Sequence, residues 1–71
     1  MTEKERIRNV LRDAVLDIGK TQKATAELAG IDRRTLNGWL NGRSVPSVGF
    51  LVKLISATSD PEEYMARLVR R

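Results

Sequence analysis

At 71 residues, with thirteen lysine and arginine side chains against nine aspartate and glutamate, the chain is one small basic domain near the lower size limit for folding on a hydrophobic core alone. It has neither cysteine nor histidine, which excludes disulfide scaffolds, Cys/His zinc sites and thiol chemistry and fits a reducing compartment. Its apolar runs fall far short of the ~20 residues that span a bilayer, and the MTEKERIR start lacks the apolar segment of a secretion signal, so the expected location is the cytoplasm.

Five helical segments follow in order and no stretch alternates like a half-buried strand, which makes the expected fold all-α. Residues 3 to 18 carry Ile7, Val10, Leu11, Ala14, Val15 and Ile18 on one helical face, and Gly19 ends the segment. Leu16 falls on the opposite face, either as a solitary exposed leucine or as part of a subunit contact. Thr21 caps a short second helix from Gln22 to Ala29, in which Ala26 and Leu28 or Ala29 are placed to pack closely on the next helix. Gly30 supplies the left-handed turn, and Ile31 follows as a hydrophobic plug between the two helices.

Asp32 caps a third helix running to about Leu40, with Leu36, Trp39 and Leu40 inward, and Asn41-Gly42 ends it. Pro46-Ser47 opens a fourth, with Val48, Leu51, Leu54 and Ile55 at core spacing and Phe50 on the flank. Asp60-Pro61-Glu62-Glu63 combines a cap, a first-turn proline and a carboxylate that can bond back to the cap amide. In the fifth helix behind it, Tyr64, Met65, Leu68 and Val69 form an apolar stripe, and Arg67, Arg70 and Arg71 complement the negative helix end.

The charge is unevenly spread. Four basic and four acidic side chains cancel between residues 1 and 19, whereas Lys20, Lys23, Arg33, Arg34 and Arg43 face only Glu27 and Asp32 between 20 and 43. Three of the four net positive charges therefore lie where two short helical segments meet at a glycine turn. A basic helix-turn-helix layout over residues 21–42 makes double-stranded DNA the first ligand to consider.

The run from Thr21 to Leu54 resembles the lambda-repressor-like helix-turn-helix family, the phage repressor and Cro type also called the xenobiotic-response-element family. Thr21-Gln22, Ala26, Gly30-Ile31, Arg33, Thr35, Leu36, Trp39, Asn41-Gly42, Pro46-Ser47, Leu51 and Leu54 carry the resemblance. Two positions depart from it: Thr25 stands where the family usually has a large apolar residue, and Gly38 where members often project a polar side chain toward a base.

The resemblance implies that the third helix enters the major groove while the second crosses the backbone. Arg33, Arg34, Thr35 and Asn37 are then the base readers, an arginine bonding bidentately to guanine, with phosphate contact or plain solubility as the alternative use of the two arginines. Thr21, Gln22, Lys23, Arg43 and Ser44 are the phosphate contacts. Leu16, Tyr64, Met65, Leu68 and Val69 are candidates for a dimer interface, although the fifth-helix stripe serves equally to close the monomer core.

Enzymatic activity is not expected. Asp13 and Asp17 sit four residues apart like a carboxylate pair, yet Arg8, Arg12 and Lys20 nearby favour a solvated charged helix. No histidine base, phosphate loop or metal-ligand cluster is present, so no cofactor is implied, and one Trp, one Tyr and one Phe are too few to stack single strands. Trp39 is read as core.

The expectation is thus a single-domain regulator of phage or mobile-element type, binding a palindromic operator as a homodimer: a repressor by covering a promoter, with activation by touching polymerase next to it left open, and with RNA polymerase or another regulator as a further partner. The rival is an interaction protein, an antiactivator or antitoxin that uses the same scaffold to hold a protein partner.

Overall fold

The computed structural model describes residues 2–69. Five helices follow one another: α1 (Glu3–Ile18), α2 (Gln22–Ala29), α3 (Arg33–Leu40), α4 (Val48–Ser56) and α5 (Pro61–Val69), and no strand occurs among the described residues. Their ends follow local chemistry. The Thr2, Thr21 and Asp32 side chains accept the amide hydrogens of Glu5, Ala24 and Thr35 at the starts of α1, α2 and α3, satisfying donors that have no partner within the helix.

The α2 terminus is closed by Gly30 at φ +72, where the Gly30 and Ile31 amides return to the Glu27 and Ala26 carbonyls and set up the turn into α3. At α5, Asp60 accepts the Glu63 amide at 3.3 Å. The expected return bond from the Glu63 carboxylate to the Asp60 amide does not form among the described residues, so only half of that capping box is built.

One apolar cluster joins four of the helices: Val10 and Leu11 from α1, Ala26 and Ala29 from α2, Leu36 and Trp39 from α3, and Leu51, Leu54 and Ile55 from α4. Ala26 and Ala29, not Leu28, make the close packing of α2, because Leu28 points outward and is exposed. Trp39 is buried with its ring 6.1 Å from that of Phe50, a packing role and not a stacking platform. Val48 departs from its expected core position: at the first turn of α4 it is 70% exposed, whereas Pro46, two residues before it, is buried.

The fifth helix packs on α1 and α4 and presents Tyr64, Met65 and Leu68 to the core, each half-buried. This stripe closes the monomer core; Val69, at its end, is 70% exposed. The carboxylates of α1 hold α5 in place. Asp13 accepts Arg67 Nη2 at 2.6 Å, and Asp17 accepts the Ser59 amide and hydroxyl, both at 2.8 Å, and the Tyr64 hydroxyl at 3.0 Å.

Asp13 and Asp17 lie on a solvent-accessible charged flank of α1, as expected, and in addition bond to α5. Arg67 sits in the last turn of α5, and its guanidinium reaches across to α1. Arg70 and Arg71, expected to complement the same helix end, lie outside the described residues. The three bonds from Ser59 and Tyr64 hold the Asp17 carboxyl below its ordinary value, the Ser59 amide contributing most. Partial burial, followed by the hydrogen bond to Asp17, pushes the Tyr64 phenol up.

Candidate nucleic-acid interface

The turn at Gly30 delivers the chain into α3 with its N-terminus outward. Leu36 and Trp39 anchor the inner face of this helix in the core, which leaves Arg33, Arg34 and Thr35 exposed on its first turn and Asn37 and Gly38 half-buried beyond them. Asp32 fixes that first turn by accepting the Thr35 amide at 2.7 Å, and this bond, more than the positive charge of Arg34, lowers the Asp32 carboxyl from its ordinary range.

Neither Arg33 nor Arg34 is held in an ion pair among the described residues, so both guanidinium groups keep their donors for a ligand. Gln22, Asp32, Arg33, Arg34 and Asn37 together line one shallow, open concavity between the start of α2 and the outer face of α3.

A polar relay runs along this surface. Asn41 Nδ2 donates to Asn37 Oδ1 at 2.8 Å, and Asn37 Nδ2 donates to Gln22 Oε1 across the two helices at a longer 3.4 Å. The relay ties a residue expected to read bases to one expected to clamp the backbone. Asn41 is a member that the sequence reading left out of the site; its four-residue step from Asn37 along one helix face was the available signal.

The remaining expected phosphate contacts flank the same surface. Thr21 and Lys23 are exposed at the start of α2, where the Thr21 oxygen caps the Ala24 amide and its own hydroxyl hydrogen remains free to donate outward. On the far side, the α3–α4 loop folds back onto α3: the Gly42 amide returns to the Trp39 carbonyl and the Arg43 amide to the Gly38 carbonyl at 2.9 Å. Arg43 and Ser44 are exposed in that loop, and Ser44 lies beside Gly38, where an added Cβ would meet Ser44 Oγ at 3.6 Å.

This is ordinary contact distance, so the glycine is not required by space within the protein. The expected dimer candidates are not part of this surface. Leu16 is 72% exposed on α1, Val69 is exposed at the end of α5, and Tyr64, Met65 and Leu68 turn toward the core.

An all-α bundle whose short second and third helices meet at a glycine turn, with a polar, cationic outer face on the third, defines a helix-turn-helix protein. A family model described as Helix-turn-helix matches residues 11–59, more than half of the chain. The protein belongs to this lambda-repressor/Cro-like helix-turn-helix family, whose members are DNA-binding regulators and not enzymes. No curated protein and no solved structure matches the chain. No helix among the described residues is long and apolar enough to cross a membrane, and no group of carboxylates there is placed to hold a metal ion.

Proposed function

We propose that this protein is a sequence-specific transcriptional repressor of phage or mobile-element type, which binds a palindromic operator as a homodimer with α3 of each subunit in the major groove. The whole chain acts as one domain. The observation that carries the reading is the first turn of α3: two arginines without an ion pair among the described residues, and Thr35, stand outward beside Asn37, on a helix whose opposite face is locked into the core.

Arg33 and Arg34 read guanine by paired donors to O6 and N7, while Asn37, oriented through Gln22, reads the neighbouring base edge. Thr21, Gln22, Lys23, Arg43 and Ser44 hold phosphates on either side and fix register. Two-fold symmetry sets the recognition helices about 34 Å apart, one turn of DNA. Leu16 and Val69 supply exposed apolar surface for the subunit contact, with the outer edge of the Tyr64, Met65 and Leu68 stripe. Occupation of the operator represses by covering a promoter, and RNA polymerase is the competitor.

Arg34→Ala tests the assignment. The expected variant is folded and dimeric but binds its operator about 30- to 25,000-fold more weakly, the ~2 to 6 kcal/mol of two bidentate pairs, one from each subunit. An unchanged complex removes Arg34 from the readers. A folded native chain that ignores all duplex DNA but captures a protein partner overturns the repressor reading in favour of an antiactivator or antitoxin.

A further inference from the structure

The charges of α1 cancel in number but not in space. Asp13 and Asp17 face α5, where they meet Arg67, Ser59 and Tyr64. Lys4, Arg8 and Arg12 recur at four-residue steps on another flank; by the ~100° helical step, Arg8 lies roughly 140° around the axis from Asp13 and roughly 180° from Asp17. Two of the four acids of α1 are thus bonded to α5 on one side, while three of its four cations lie on another flank, with Glu5 among them.

The cationic flank reaches the loop that follows the recognition helix. A Cβ built on Gly42 would stand 2.8 Å from Arg8 Nη1, so the guanidinium lies directly against the α3–α4 backbone. Lys4, Arg8, Gly42 and Ser44 line a groove of about 220 Å³, with buried Trp39 and Pro46 also in its lining. Ser44 Oγ also adjoins Gly38 on α3, one residue beyond Asn37, which places the groove beside the outer face of that helix.

Arg8 has no ion pair and no hydrogen bond among the described residues, and its Nε is shielded from solvent without a partner. The one acid in the lining, Glu5, accepts the Thr2 hydroxyl at 3.2 Å. A partly desolvated guanidinium lacking a counterion is stabilised strongly by an anion that accepts its donors, since charge-assisted hydrogen bonds are roughly twice as strong as neutral ones.

We infer that Arg8, with Lys4 beside it and Ser44 across the groove, forms a further phosphate-binding site that extends the DNA interface from α2 and α3 onto α1. The inference rests on the DNA-binding reading above. The site grips backbone and carries no base information, so it raises affinity for every sequence and helps fix the duplex against the loop. Gly42 serves it twice: its φ of +78 closes α3, and its missing side chain leaves room for Arg8.

The test compares the native chain with Arg8→Gln and Lys4→Gln on a mixed-sequence duplex over a salt series, and maps phosphates by ethylation interference on an operator duplex once one is selected. Arg8→Gln is expected to keep its fold and selected motif but lose one phosphate contact per subunit, two per dimer. Its plot of log affinity against log salt becomes shallower by about 1.8, so a fourfold rise in salt costs it about 12-fold less affinity than it costs the native chain. One interference position per half-site also disappears.

An unchanged slope and interference pattern from folded Arg8→Gln overturns the α1 site while the native chain still binds. If Arg8→Gln does not fold, Lys4→Gln, altered at an exposed side chain, carries the test. Loss of slope there supports the site, and an unaltered slope with native interference confined to the α2 and loop phosphates overturns it. Failure of the native chain to bind any duplex overturns this inference together with the DNA reading, and so is told apart from failure of the α1 site alone.

Discussion

Thr25 sits on the inner face of α2 with no solvent exposure, between neighbours that pack on α3 and α4, and its hydroxyl has no hydrogen-bond partner. A hydroxyl buried without a partner costs about 1–3 kcal/mol in proteins. Valine has the same branched shape, so Thr25→Val removes that cost without a cavity or a clash, and the two residues differ little in helix propensity. Taking the low end, because part of the chain is already desolvated when unfolded, the expected gain is about 1 kcal/mol.

For a domain of this size that gain raises Tm by roughly 4–8 °C, readable by circular dichroism melts with urea titration as a check. Thr25→Ser, which keeps the hydroxyl and deletes a buried methyl, is expected to melt below the native chain. A valine variant that melts lower would mean the hydroxyl has a partner in solution, the Thr21 carbonyl one turn back being the available acceptor, and the reasoning would be refuted.

Three further outcomes are expected. Gly38→Ala gains about 1 kcal/mol of stability from helix propensity, since its Cβ meets Ser44 Oγ at an ordinary 3.6 Å; if the mutant is more stable yet binds its operator more weakly, the glycine is there for close approach to the groove, and lower stability contradicts the helix argument. Asp13→Asn and Arg67→Ala each cost under about 1 kcal/mol, because their side chains are 46% and 31% exposed, and a double-mutant cycle isolates the pair; coupling well above that would contradict the screened ion pair.

The third is a pH effect. Asp17 and Asp32 both have folded values held below the ordinary 3.8 by hydrogen bonds, so their stabilising contribution is complete above that value and is lost as pH falls through the lower folded values. Melts from pH 6 to 2 should show this slope reduced in Asp17→Asn and Asp32→Asn, and an undiminished acid slope in both would contradict it.

Helix boundaries were legible because the signals that set them are local. Thr21 and Asp32 each cap the helix that follows, and Gly30 adopts the left-handed turn, each bonding a partner three residues away. The Thr2 cap of α1 was equally local, with Glu5 three residues on, and its signal was available in the same way. The inner and outer faces of α3 followed from Leu36 and Trp39, since a short helix with one apolar stripe has one orientation in the core.

What was not legible depends on residues far apart in sequence. Asp17 meets Ser59 and Tyr64 across more than forty positions, and Arg67 meets Asp13 across 54. Periodicity places each of them on a face but cannot say which helix the face will meet. Arg67 therefore read as a helix-end charge, and the α5 stripe read equally well as an interface or a core. Val48 carries the same lesson at a boundary: its spacing to Leu51 is right, but at the first turn of α4 it stands exposed, outside the core that Leu51, Leu54 and Ile55 enter. The relay from Gln22 through Asn37 to Asn41 needs the α2–α3 crossing to bring its first two members together.

Selection of bound duplexes from a randomised double-stranded DNA pool, at near-physiological salt to suppress nonspecific binding, tests the central claim most directly. Sequence-specific recognition by a symmetric pair of α3 helices requires enrichment of a palindrome with guanines in each half-site, the half-sites centred one helical turn apart, and loss of that enrichment with Arg34→Ala. Folded protein that enriches no motif from the pool would contradict the claim.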